Sequence, residues 1–184
     1  MSEGAESIER ELKFPDVDLD ALRGRLIECE AERITASALE ENQLFDRNNE
    51  LAESDSLLRL RMDSQGTWLT FKGPARFEDG VKVRVEHETK VDDAAQLRAL
   101  LKSLGYRIFR GYQKYREEWR LGGVMIALDH TPIGDFAEFE GDGAEKVAKR
   151  CKFDPDTAER RNYLQIYQDY RAEHPEAPAD MIFP

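Results

Sequence analysis

The chain has 184 residues, of which 40% are hydrophobic and 35% are charged, a composition typical of one globular domain with a heavily ionised surface. Its formal net charge of −11 disfavours functions that rely on long-range attraction to nucleic acid or to an anionic membrane. A small anionic ligand is not excluded, because its binding depends on local charge.

Cellular location and domain organisation follow from the same composition. The first residues are acidic and polar, which is unlike a secretory signal, and no apolar run is long enough to span a bilayer. Cys29 and Cys151 have neither a metal-binding nor a redox spacing, which indicates a cytoplasmic protein with free thiols. We expect a single domain over residues 1–172 and a loosely held tail over residues 173–184.

The first predicted element is the strand "SIERELKF". Side chains alternate between two faces in an extended chain, so Glu9, Glu11 and Lys13 share one face. Two carboxylates followed by an ammonium group indicate either a solvated outer face or a cation site beside an anion site.

Four helices follow from apolar residues at helical spacing. Asp18 caps a helix that carries Leu22 and Leu26, and "DDAAQLRALLKSLGY" predicts a helix that Gly105 ends. A third helix follows "EGDG", and a fourth, from about residue 156, carries a stripe of tyrosines. Each stripe is interpreted as a face packed on a sheet.

The remaining segments alternate with a period of two and predict strands. Besides the first strand they are "NQLFDRN", "SLLRLRMD", "TWLTFKG", "GVKVRVEHETK", "YRIFRGYQKYREEWRL", "VMIALDH" and "DFAEFEG". Eight strands with few long crossovers favour antiparallel pairing in an α+β fold.

The polar faces of these strands are almost entirely ionic. The charged residues on them are Arg59, Arg61, Lys72, Lys82, Arg84, Glu86, Glu88, Lys114, Arg116, Glu118, Asp129, Glu138 and Glu140. An antiparallel sheet with one wet face would explain any single strand. The whole set favours an eight-stranded antiparallel β-barrel with an ionic interior and helices packed outside, because buried charges need partners or a ligand. A structural β domain with a solvated face is the plainer alternative.

These residues resemble the CYTH family, the triphosphate tunnel metalloenzymes, over about residues 7 to 170. The family's N-terminal ExExK is matched by Glu9, Glu11 and Lys13, and the resemblance continues through "LLRLR", "LTFKGP", "VRVEHETKVDD", "YQKYREEW", "IALDHTPIGDFAEFE" and "NYLQIY". The family includes class IV adenylyl cyclases, thiamine triphosphatases and inorganic triphosphatases.

The resemblance implies an open-ended barrel, a divalent metal and a role for each matching residue. The implied metal ligands, for Mg²⁺ or Mn²⁺, are Glu9, Glu11, Asp129, Glu138 and Glu140. The implied phosphate-binding residues are Lys13, Arg59, Arg61, Lys72, Arg84, Lys114 and Arg116. Lys13, Glu11 and Glu138 are the expected catalytic residues.

The expected activity is metal-dependent hydrolysis of an inorganic or organic triphosphate, such as tripolyphosphate, thiamine triphosphate or ATP. A class IV adenylyl cyclase that forms cyclic AMP and diphosphate from ATP needs the same grip on the triphosphate and is the alternative. Hydrolysis is favoured because it needs no pocket for a base, and because the histidine-phenylalanine pair of the cyclases is missing before Glu9. A noncatalytic nucleotide or polyphosphate binder is an alternative of another class.

Overall fold

Nine strands and five helices organise residues 7–78 and 80–184, the part of the chain that this computed structural model describes. The strands are β1 (Ser7–Phe14), β2 (Glu32–Asp46), β3 (Leu57–Asp63), β4 (Gly66–Lys72), β5 (Arg76–Glu78), β6 (Val81–Lys90), β7 (Arg107–Leu121), β8 (Val124–Thr131) and β9 (Gly134–Glu140). The helices are α1 (Leu19–Glu28), α2 (Glu50–Glu53), α3 (Ala94–Ser103), α4 (Ala144–Arg150) and α5 (Tyr163–Glu173).

Eight of the strands close into an antiparallel barrel. Their order is β1-β9-β8-β7-β2-β3-β4-β6, and β6 pairs with β1 to complete the ring. The short strand β5 pairs with the first residues of β6 beside this ring. The predicted α+β barrel with helices outside is therefore confirmed.

The hydrophobic core lies between the barrel wall and the helices. Leu12 of β1, Ile126 of β8 and Phe139 of β9 are fully or almost fully buried against Leu22 and Leu26 of α1. These apolar residues alternate along their strands with the charged ones, so the ionic face of each strand is turned to the barrel interior.

The helices begin close to where their capping residues predict. The Asp18 side chain accepts a hydrogen bond from the backbone N–H of Ala21 at the start of α1. The last helix begins at Tyr163 rather than near residue 156, because a 3₁₀ turn over Pro155–Thr157 precedes it and Asn162 then forms a capping box. In the described ranges, no helix has the length and apolarity that crossing a membrane would need.

Two strands differ from the prediction. β2 begins ten residues before "NQLFDRN", because register shifts near Thr35 and Ala38 break the alternation that would have revealed it. β5 falls in "PARFEDG", outside the segments whose alternation predicts a strand.

The C-terminal tail is held more firmly than predicted. Met181 is 1% exposed, its carbonyl accepts a hydrogen bond from the Gln113 backbone N–H at 2.8 Å, and its own N–H donates to Gly111. The expectation of a loose end was wrong here, because one apolar side chain and two backbone hydrogen bonds attach this segment to β7.

Candidate active site

The barrel encloses a cavity whose walls are mostly ionic. Among the described residues, eight cations and six carboxylates line it. The cations are Lys13, Arg59, Arg61, Lys72, Lys82, Arg84, Lys114 and Arg116, and the carboxylates are Glu9, Glu11, Glu86, Glu88, Glu138 and Glu140. A chain of net charge −11 thus surrounds its cavity with a surplus of positive charge, which favours a polyanionic ligand.

Three carboxylates meet at one side of this cavity. One oxygen each from Glu9, Glu86 and Glu140 lies within 4.8 Å of the other two, and we call this group the acidic trio. Glu9 is 6% exposed, and the Nζ of Lys72 donates to it at 2.5 Å and lies 3.4 Å from Glu86. One ammonium group therefore serves two of the three carboxylates.

The trio has the electrostatics of a cation site. Burial raises the pKa of Glu9, and repulsion from Glu11 and Glu86 adds to that effect despite Lys72. Desolvation by the surrounding protein, together with the charges of Glu9, Glu11 and Glu86, raises the pKa of Glu140 to about 7. Glu140 nevertheless lines the cavity and is exposed to solvent, so water screens part of this repulsion. Hard oxygen ligands that repel one another fit a divalent cation such as Mg²⁺ or Mn²⁺.

Glu11 and Glu138 have a different setting, since both are paired with Lys13. The Nζ of Lys13 lies 3.0 Å from an oxygen of each. Burial opposes the charge on Glu11, but Lys13 outweighs it and the pKa falls to about 2. The same contacts hold the pKa of Lys13 above its usual range, so all three groups are ionised at neutral pH.

Asp129 lies among cations, away from the acidic trio. It is fully buried and accepts hydrogen bonds from Lys114 at 3.0 Å, from Arg116 at 2.7 Å and from the Tyr163 hydroxyl at 2.8 Å. Both of its oxygens are engaged, so this carboxylate orients two cations toward the cavity. Its implied role as a metal ligand has no support in these contacts.

Three cations face the cavity without an ion pair in the described parts of the chain. Arg84 donates to the carbonyl oxygens of Gly73 and Asp55, and Arg59 donates to the Tyr112 hydroxyl while its Nε has no hydrogen-bond partner. Burial lowers the pKa of Lys82. Buried charges without counterions are costly, and an anionic ligand would relieve that cost.

Eleven of the twelve predicted site residues line this one cavity, and Asp129 lies behind its wall. Lys82, Glu86 and Glu88, expected on the charged face without an assigned role, also line this cavity. Glu40, near the irregular start of β2, lies outside the lining, with one oxygen 3.5 Å from the Nζ of Lys114. Tyr163 had been read as packing, yet Lys13 and Lys114 lie 4.5 and 5.0 Å from the centre of its ring.

The raised pKa of Glu140 predicts a pH dependence of the metal-free chain. An acid whose pKa rises from 4.5 in the unfolded chain to about 7 on folding favours the folded state most below pH 4.5. That contribution is lost as the pH rises through about 7. Wild type should therefore lose more stability than Glu140→Gln between pH 5 and pH 8 in a chelator, as measured by denaturant unfolding. Equal losses in the two proteins would contradict the crowding of this carboxylate.

Comparison with known proteins gives a consistent family. The profile of the CYTH domain matches residues 7–155. A candidate adenylate cyclase of Methanocaldococcus jannaschii is 26% identical over 132 residues, which cover 65% of this chain and 75% of that protein.

Two solved structures have the same fold. A candidate adenylate cyclase from Vibrio parahaemolyticus superposes with a TM-score of 0.78 at 22% identity and covers 89% of this chain and 99% of its own. A candidate adenylyl cyclase from Hippeastrum, described as having a dominant triphosphatase activity, superposes with a TM-score of 0.65 at 17% identity and covers 88% of this chain and 96% of its own.

Proposed function

The chain belongs to the CYTH domain family, and we propose that it is a divalent-metal-dependent triphosphatase whose substrate binds inside the barrel. One observation carries the proposal: buried cations without carboxylate partners and a trio of mutually repelling carboxylates line the same cavity. A triphosphate with a divalent cation supplies the charges that both groups lack.

The phosphates would be bound by the cations that no carboxylate neutralises. Arg59 offers a guanidinium group that can donate to two phosphate oxygens. Arg84, held by its hydrogen bonds to backbone carbonyl oxygens, and Lys82 add positive charge. Arg116 and Lys114 are held in place by Asp129 and would extend the grip along the chain of phosphates.

The acidic trio would hold the metal. Glu9, Glu86 and Glu140 would bind Mg²⁺ or Mn²⁺, and Glu11 lies close enough for its charge to raise the pKa of both Glu9 and Glu140. When bound, such an ion neutralises phosphate charge and lowers the pKa of a water molecule.

The remaining chemistry rests on residues of the chain. Phosphoryl transfer depends mainly on positioning and charge neutralisation. Lys13, fixed between Glu11 and Glu138, keeps its proton and would stabilise negative charge that develops on the phosphates. Glu11 and Glu138 would hold its ammonium group in position.

Adenylyl cyclase activity is the second candidate, and the similarity to candidate adenylate cyclases of Methanocaldococcus jannaschii and Vibrio parahaemolyticus favours it. A cyclase must also fix the adenosine, so that the 3′-hydroxyl attacks the α-phosphorus. Hydrolysis demands only the triphosphate grip that the cavity offers, and the Hippeastrum protein, described as mainly a triphosphatase, gives a precedent within the fold.

The test is a substrate panel with product identification. The protein is incubated with tripolyphosphate, thiamine triphosphate or ATP in Mg²⁺, in Mn²⁺ and in chelator. We expect metal-dependent release of orthophosphate and little cyclic AMP. Cyclic AMP and diphosphate as the main products from ATP would establish the cyclase, and tight triphosphate binding without turnover in either metal would establish a noncatalytic binder.

A further inference from the structure

The two cysteines, 122 positions apart in the chain, are brought together at the ends of two neighbouring helices. Cys29 is the C-terminal cap of α1, and Cys151 is the C-terminal cap of α4. Each is followed by a residue with a left-handed backbone, Glu30 at φ 58° and Lys152 at φ 66°. The two helix ends therefore turn away from their axes in the same manner, immediately after the cysteine.

Reciprocal hydrogen bonds fix the two helix ends against each other. Arg25 of α1 donates to the Cys151 carbonyl oxygen at 3.2 Å, and Arg150 of α4 donates to the Cys29 carbonyl oxygen at 3.3 Å. Both cysteines pack with the apolar cluster under these helices. Each arginine neutralises the negative end of the opposite helix dipole while it holds the cysteine backbones close.

The two cysteines belong to one apolar cluster but differ in accessibility. Cys151 is fully buried, whereas Cys29 is partly exposed. Burial, with a further contribution from the charge of the Cys29 thiol, raises the pKa of Cys151 to about 11. Cys29 is therefore the thiol that a solvent-borne oxidant reaches first, and Cys151 is the group best placed to react next.

We propose that Cys29 and Cys151 form a reversible intramolecular disulfide on exposure to a peroxide, a modification site that is independent of the proposed triphosphatase function. The Cys29 sulfur attacks one peroxide oxygen and the O–O bond breaks, which gives a sulfenic acid and one water. The Cys151 sulfur then attacks the Cys29 sulfur. Hydroxide leaves with the Cys151 proton as a second water, so two thiols are oxidised by two electrons as one hydrogen peroxide is reduced.

The disulfide would link the C-terminal ends of α1 and α4, two helices on the outside of the barrel. Both α1 and α4 pack on β9, and α4 also contacts β1, the two strands that carry the ExExK carboxylates and Glu140. The closed loop would run from residue 29 to residue 151, which is most of the chain. A loop this long restricts the unfolded state strongly, so the oxidised protein should melt at a temperature higher by on the order of 5–10 °C.

The test treats the full-length protein with stoichiometric hydrogen peroxide and measures intact mass, free thiols and Tm. We expect a monomer that has lost the mass of two hydrogen atoms, has no free thiol and melts higher, with dithiothreitol reversing all three changes. Peptide mapping after alkylation should find Cys29 joined to Cys151.

Single-cysteine variants provide the control. In Cys29→Ser, the buried Cys151 should stay reduced, and in Cys151→Ser, Cys29 should form sulfenic or sulfinic acid without the rise in Tm. If Cys151→Ser does not fold, Cys151→Ala replaces it, and the wild-type peptide map decides by itself. A wild-type protein that accumulates oxidised Cys29 or Cys29-linked dimers, with Cys151 still a free thiol, would overturn the proposal.

Discussion

Replacing Glu9 by glutamine is expected to reduce metal-dependent triphosphate turnover by about 100-fold or more, since even outer-shell partners of a metal are worth about 10- to 100-fold. Glutamine keeps the shape of the side chain and an oxygen that can accept the hydrogen bond from Lys72. It removes one of the three charges of the acidic trio. The metal-free variant should fold as well as wild type, because burial and repulsion from Glu11 and Glu86 outweigh the attraction of Lys72 for the Glu9 charge, and Lys72 keeps Glu86 as a partner.

Metal-induced stabilisation separates a binding defect from a folding defect. Wild type should gain Tm in millimolar Mg²⁺ or Mn²⁺ as ion binding favours the folded state, and Glu9→Gln should gain little. Glu173→Gln is the matched control, because it removes an exposed carboxylate at the end of α5, and it should behave as wild type. Wild-type turnover and wild-type metal response in Glu9→Gln would remove Glu9 from the metal site.

The second large effect is expected for Arg59→Gln, which should weaken triphosphate binding by about 100-fold. A hydrogen bond to a charged group is worth about 1.5–3 kcal/mol, and a forked guanidinium can make two of them to a phosphate. In the described surroundings Arg59 has a phenol as its hydrogen-bond partner and an unpartnered Nε, so its removal breaks no ion pair there.

The two variants should differ in what they lose. Arg59→Gln should keep the Tm gain with metal alone and lose the further gain with a non-hydrolysed triphosphate analogue, whereas Glu9→Gln should lose the metal response first. Arg107→Gln is the control, since this exposed guanidinium donates to the backbone at the end of α3, outside the cavity. Unchanged analogue affinity in Arg59→Gln would show that the phosphates bind elsewhere.

The strands and the nature of their faces could be predicted from the sequence, because alternation is a local property of the extended backbone. Lys13 and Glu138 were expected on charged faces and line the cavity, while Leu12 and Phe139, their neighbours along the strands, are buried on the opposite side of the barrel wall. The CYTH resemblance likewise needed no coordinates, and the profile match over residues 7–155 confirms it.

The grouping of the carboxylates depended on which residues lie opposite each other across strands. Lys13 is paired with Glu138, and Glu9 is paired with Arg84 two positions from Glu86. Glu138 is therefore held by an ammonium group, and Glu86 joins Glu9 and Glu140 in its place. A shift of two residues in either pairing would keep every hydrophobic residue on its own side of the wall. The alternation along one strand therefore does not determine the register between strands.

The sequence by itself determined that this chain forms strands with one apolar and one ionic face, because the direction of each side chain is set by its own backbone. Only the tertiary structure decided that the C-terminal ends of α1 and α4 are hydrogen-bonded to each other, that Asp129 orients cations, and that three glutamates from β1, β6 and β9 converge. These contacts join residues far apart in the chain, and barrel closure and strand register fix their positions.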